Sequence, residues 1–221
     1  MEKSNQQVLL LHGLGRSPRS MRKLQKALQR HKYKVINAGY LGVSRSYEQI
    51  LTRLTHKILP LIDANIPLHF VGHSFGGILI RGLLAQNNNW NLGRCVMLGT
   101  PNQGTNTAVY MSAHPVLKYF TPKVAHELSP KSDLIKNLAE PLIETGIIAG
   151  NKPQSILIPM TWFYKRATNE APGDGVVEIS NTQCSNMSDF IELPLHHSFM
   201  MWDSQLIEQT IQFLNNGQFK R

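Results

Sequence analysis

Gly72-His73-Ser74-Phe75-Gly76 is a G-x-S-x-G segment lying between an apolar run, Leu68 to Val71, and a stretch of helical character from Gly76 to about Gln86. In that setting the two glycines allow a turn sharp enough to hold a serine hydroxyl above a sheet, while the following helix points its positive end at developing negative charge. The chemistry this suits is nucleophilic attack on a carbonyl carbon. A second glycine-rich element, His12-Gly13-Leu14-Gly15, follows the apolar run Val8 to Leu11. Backbone N–H groups in such a loop approach an oxyanion without a side chain intervening, and those of Leu14 and Phe75 are the expected pair of donors. A phosphate-binding loop fits less well. Pro18 stands where a dinucleotide fingerprint needs its third glycine or an alanine, and no Gly-Lys-Ser/Thr is present. His12 and His73 are expected to brace the two loops by hydrogen bonds.

A serine hydroxyl is a poor nucleophile until an imidazole takes its proton, and the imidazole needs a carboxylate to hold its tautomer. On a strand-turn-helix nucleophile the chain order is serine, acid, histidine. Glu170, Asp174 and Glu178 share one loop. Asp174 is favoured, since Gly173 and Gly175 let the chain bend its carboxylate toward a histidine. Asp189 directly precedes an apolar run and is worse placed. Of nine histidines, only His196 and His197 lie downstream. Successive side chains of an extended segment diverge, so one of the two is the expected base. Read as metal ligands, the adjacent pair would have to converge on one ion with no matching cluster elsewhere, so neither a metal nor a cofactor is expected.

These residues must be carried by alternating strands and helices. Val8 to Leu11 suits a strand buried on both faces. Ser17-Pro18 opens a helix with Met21, Leu24 and Leu28 on one face, Tyr33 to Asn37 is a second strand, and Ser46 caps a helix bearing Ile50, Leu51, Leu54, Ile58 and Leu61. Strands follow at Leu68 to Val71 and Arg94 to Leu98, a fifth, interrupted one at Ile156 to Tyr164, and a sixth at Phe190 to Leu193. A helix from about Asp203 to Leu214 closes the chain. The alternation predicts an α/β fold, a mostly parallel sheet of about six strands with helices on both faces and ligands at the strands' carboxyl ends. Residues 102–152 break it, with a helix-like piece from Ser132 to Glu144, and are expected to form a small cap within a single domain spanning 1–221.

The chain has 221 residues, 42% of them hydrophobic, enough for one core and against a disordered chain. No apolar run approaches the length of a membrane span, the first seven residues lack a signal peptide's apolar core, and two cysteines are too few for a disulfide framework, so a cytoplasmic location is expected. A net charge of +9 suits an anionic partner such as a phospholipid surface. The basic residues are scattered and not interleaved with stacking aromatics, which argues against nucleic acid.

With Gly72 to Gly77, His12-Gly13-Leu14 and Gly173-Asp174-Gly175-Val176-Val177 in place, the sequence resembles the α/β-hydrolase superfamily, in particular bacterial lipase/esterase-like proteins and more loosely glycosylphosphatidylinositol inositol deacylases. Leu98-Gly99-Thr100-Pro101-Asn102-Gln103-Gly104 and Glu127-Leu128-Ser129-Pro130-Lys131-Ser132 add to the likeness. The resemblance implies a Ser74, Asp174, His197 triad, because the family's histidine is followed by a small hydroxyl residue, here Ser198. One departure from the family stands beside it: the sequence begins almost directly at the strand before His12, so the two antiparallel strands that usually open the superfamily's sheet are expected to be missing, leaving a minimal six-stranded version. The implied activity is serine carboxylester hydrolysis on a small-molecule or lipid ester. The alternatives are a lipid deacylase or acyltransferase working at an anionic membrane surface, and a non-catalytic ligand-binding or scaffold protein.

Overall fold

The computed structural model describes the backbone of residues 6–42, 44–86, 89–115, 119, 122–152 and 159–221, and the side chains of all of these except 159–162. Its strands are β1 (Gln7–Leu11), β2 (Lys34–Ala38), β3 (Leu68–His73), β4 (Leu92–Leu98), β5 (Thr145–Gly150) and β6 (Asp189–Leu193). They form one sheet in the order β2-β1-β3-β4-β5-β6, and every neighbouring pair is parallel. The helices are α1 (Arg22–Arg30), α2 (Tyr47–Ile58), α3 (Phe75–Ala85), α4 (Asn106–Ala113), α5 (Asp133–Asn137), α6 (Pro159–Thr168), α7 (Ile179–Thr182) and α8 (Ser204–Asn216).

Alternate residues of a strand point to opposite faces, which is why β1 is apolar at consecutive positions. Val8 and Leu10 pack with Met21, Leu24 and Leu28 and with Leu206, Ile211 and Leu214 of α8. Leu9 and Leu11 face the other way, onto Ile50, Leu51 and Leu54 of α2 and Ile78 and Leu79 of α3. Local signals start and stop these helices. Ser46 and Gln49 form a reciprocal capping box at α2, Asp203 accepts the Leu206 N–H at α8, and Gly217 ends α8 with a φ of 75°. Ser17 departs from expectation. Its side chain caps nothing, and a 3-10 turn over Pro18–Met21 precedes α1. Among the described residues no helix is long and apolar enough to cross a membrane.

The larger departure concerns the fifth strand. It lies at Thr145–Gly150, whereas 159–164 of the expected strand are helical in α6 and 156–158 fall outside the described residues. The stretch expected to be a cap over 102–152 therefore includes an internal strand of the sheet, and the helical piece expected over Ser132 to Glu144 shrinks to Asp133–Asn137, with α4 a second helix in the stretch. Two glycines and an alanine in Thr145-Gly146-Ile147-Ile148-Ala149-Gly150 weaken any local preference for a strand. Packing demands them. A Cβ on Gly146 would come within 2.7 Å of the Phe213 and Phe219 rings.

His69 on β3 links the fold to pH. It is buried and its Nδ1 accepts the Arg94 N–H at 2.9 Å, while burial first and the Arg94 charge second push its pKa down to about 4. Between about pH 6.5 and 4 the unfolded chain takes up a proton that the folded chain refuses, so stability falls as pH drops through that window. A shift of this size corresponds to a loss of about 3 kcal/mol once the window is crossed. His69→Asn offers an oxygen to the same N–H without titrating. Urea unfolding at about pH 7 and about pH 4.5 should show a shallower loss in this variant, and parallel losses would remove His69 from the cause.

Candidate active site

Ser74 sits between β3 and α3 with φ 54° and ψ −125°, a strained conformation for a residue with a side chain. The crossing is tight on both sides. A Cβ on Gly72 would meet the backbone of Gly76 and Gly77 at 2.5 to 2.7 Å, and one on Gly76 would press into the Leu11 carbonyl oxygen. Close approach of α3 to the ends of β1 and β3 is thus what the two glycines permit, and it aims the α3 N-terminus at the Ser74 hydroxyl.

The three residues expected as nucleophile, base and acid meet above the carboxyl ends of β3, β4 and β5. Ser74 Oγ lies 2.9 Å from His197 Nε2, and His197 Nδ1 lies 2.7 Å from Asp174 Oδ2. With Nδ1–H donating to the carboxylate, Nε2 is left to accept the serine proton. Asp174 is fully buried, and its second oxygen accepts the N–H groups of Val176 at 3.0 Å and Val177 at 2.9 Å. Its carbonyl also accepts the His197 N–H at 3.1 Å, tying the two loops together.

The other candidates are occupied elsewhere. Glu170 is exposed beside Lys165 at 3.7 Å. Glu178 is buried, accepting from Thr105 Oγ1 at 3.1 Å and from the Asn106 side chain at 2.8 Å at the start of α4. Asp189 accepts from the Phe219 N–H and pairs with Arg221 at 2.5 Å. His196 turns away and donates from Nδ1 to the Lys152 carbonyl at 2.7 Å.

His12 and His73 are structural. His73 is fully buried, which holds its imidazole well below the usual histidine pKa, and its Nε2–H donates to the His197 carbonyl at 3.0 Å. His12 donates from Nδ1 to the Gly13 carbonyl at 2.8 Å, accepts the Tyr40 N–H at 3.4 Å and stacks on the Tyr40 ring at 4.3 Å. The Leu14 N–H stands on the loop after β1 and the Phe75 N–H on the first residue of α3, and among the described residues neither takes part in the backbone hydrogen bonds that tie those turns.

Two residues that sequence reasoning passed over make room for the acid. A Cβ on Gly99, at φ 53°, would stand 2.9 Å from Asp174 Oδ2, and one on Gly150 would stand 2.7 Å from Asp174 Cβ. Gly99 was visible within Leu98-Gly99-Thr100-Pro101, but its role follows only from the distance. Arg81 is another. It is 2% exposed on α3, and its guanidinium donates to the carbonyls of Ala139, Asn102 and Leu138 and pairs with Glu140 at 3.2 Å. A charge inside Ile78-Leu79-Ile80-Arg81-Gly82-Leu83 was its only signal. A buried guanidinium needs that many partners to offset desolvation, and here they pin both ends of the segment between β4 and β5.

Ser74 and His197 open into a cleft of about 350 Å³. One wall is apolar, with Ala108 and Met111 of α4, Ala125 and Leu128 of a 3-10 turn, and Val176 and Val177 beside the acid. Gly13 to Arg16 also line the cleft. Among the described residues no group of three or more His, Cys, Asp and Glu side chains is placed to hold a metal ion.

A parallel sheet in this order, a strained serine at the end of its third strand and an imidazole and carboxylate delivered by the last loops define an α/β-hydrolase of the lipase/esterase-like class. The chain belongs to the palmitoyl protein thioesterase family, whose model matches residues 7–167 and so stops before Asp174 and His197. Solved structures show the same fold. The mature form of the Bacillus licheniformis lipase BlEst2 superposes with a TM-score of 0.76 at 16% identity, over 98% of this chain and 93% of that one. Its propeptide form is matched over 48% of its length. The metagenomic carboxyl esterase MGS0156 gives 0.65 at 14% identity, over 89% and 66% of the two chains. An esterase from Exiguobacterium antarcticum gives 0.60 at 14%, over 96% and 93%. No curated protein matches the chain.

Proposed function

We propose that the protein hydrolyses carboxylic esters or thioesters through an acyl-enzyme on Ser74. The observation that carries this reading is the continuous relay Ser74 Oγ, His197, Asp174, at 2.9 and 2.7 Å, at the mouth of an apolar cleft. His197 Nε2 takes the hydroxyl proton as Oγ bonds to the carbonyl carbon, and Asp174 stabilises the imidazolium. The N–H groups of Leu14 and Phe75 receive the oxyanion. When the intermediate collapses, the alcohol or thiol departs with the proton from His197, and water, deprotonated by the same imidazole, releases the acid. The acyl chain lies against the apolar wall, and the segment between β4 and β5 serves as the cap of a single catalytic domain.

A fluorophosphonate probe should label the wild-type protein at Ser74 and leave Ser74→Ala unmodified. Absence of labelling, or equal labelling of both, would overturn the proposal in favour of a non-catalytic binding protein. A lipid deacylase or acyltransferase shares the acyl-enzyme, and product analysis with a lipid alcohol present separates it from a hydrolase.

A further inference from the structure

A second cavity, of about 430 Å³, opens beside the cleft and shares Arg16 with it. Arg16, Arg45, Arg53 and Lys57 line it and no carboxylate does. Among the described residues none of the four is within ion-pairing distance of an acidic side chain. Glu48 shares a neighbouring depression with Arg45 and Arg53 but pairs with neither. Three of the cations are held in place by the backbone. Arg16 donates to the Ser198 carbonyl at 3.3 Å, Arg45 to that of Leu41 at 3.2 Å and Lys57 to that of Gly39 at 2.7 Å. Each keeps further N–H donors for a ligand.

Four like charges around one concavity repel one another, and an anion relieves that repulsion while gaining charge-assisted hydrogen bonds. Three guanidinium forks and an ammonium exceed what a single carboxylate can neutralise, whereas phosphate offers several acceptor oxygens and up to two charges.

We propose that this cavity binds a phosphate group carried by the alcohol or thiol part of the substrate. The acyl chain then lies against the apolar wall, the reacting carbonyl stands at Ser74, and the leaving group passes over Arg16 into the basic cavity. The placement rests on the acyl-transfer reading, but the phosphate site does not, and binding to the Ser74→Ala protein tests it alone. Two sources share this chemistry, a soluble phosphorylated thiol and a phospholipid headgroup. Titration calorimetry at low salt would compare phosphopantetheine with pantetheine, which differ only by a phosphate, and vesicles of phosphatidic acid in phosphatidylcholine with phosphatidylcholine alone, whose phosphate is esterified to choline and neutralised by it. At least one phosphate-bearing probe should bind about tenfold or more tightly than its neutral counterpart, and the positive arm names the source. Arg45→Gln with Arg53→Gln should abolish the preference, and Arg53→Gln or Lys57→Gln alone, both exposed on α2, should each reduce it. The proposal is overturned if neither phosphate probe is preferred, or if the preference survives in the double variant. Phosphate binding by a protein that no fluorophosphonate labels would keep the site and refute the acyl-transfer chemistry instead.

Discussion

His197→Ala should lower kcat at least about 10³-fold and abolish the acylation burst, whereas His196→Ala should cost no more than about tenfold. The two residues are neighbours and chemically identical, so composition around them cannot explain such a difference. Geometry does. His197 is buried between Ser74 Oγ and Asp174 Oδ2, and its removal leaves the hydroxyl without a proton acceptor. His196 points to the other side of the loop, where its ring donates to the Lys152 carbonyl. Burst-phase measurement with a chromogenic ester separates acylation from later steps. A dead His196→Ala enzyme beside an active His197→Ala enzyme would reverse the assignment.

Asp174→Asn should lower kcat by about 10³- to 10⁴-fold with little change in fold, while Glu170→Gln should stay near wild type. Asparagine is nearly isosteric. Its carbonyl oxygen can still accept the Val176 and Val177 N–H groups, which leaves an NH₂ group facing His197 Nδ1. The imidazole would then accept at Nδ1 and carry its proton on Nε2, the atom that must take the proton from Ser74. Single-turnover kinetics, with circular dichroism to check folding, measures this, and full activity in Asp174→Asn would remove the carboxylate from the mechanism. Glu170, exposed and 3.7 Å from Lys165, is not part of the relay.

Part of this site was legible because some constraints are local. A turn that forces φ to 54° at Ser74 and would set a Cβ on Gly72 only 2.5 Å from the Gly77 backbone must be flanked by glycine, so G-x-S-x-G between an apolar run and a helix carried its meaning in the sequence. β1 was equally plain, because a strand buried on both faces favours apolar residues at consecutive positions, as at Val8 to Leu11. Asp174 was legible as the candidate acid through Gly173 and Gly175, even though the strand that precedes its loop was misplaced. The choice between His196 and His197 needed a resemblance to a known family, since their spacing alone left both open.

Strand burial, helix caps and tight turns restrict residue type at the place where they occur, so the α/β alternation, the nucleophile turn and the candidate groups for proton exchange can be read directly along the chain. Where β5 runs and what surrounds Asp174 depend instead on packing between distant segments. The Thr145–Gly150 segment has little local preference for a strand, and its glycines are dictated by rings at 213 and 219 and by Asp174, residues distant in the chain. The same holds for Arg81, whose partners lie 21 to 59 residues away, and for the basic cavity, which joins Arg16 to three cations on and near α2. Contacts across such separations depend on how the helices pack on the sheet, and no short stretch of sequence encodes that distance.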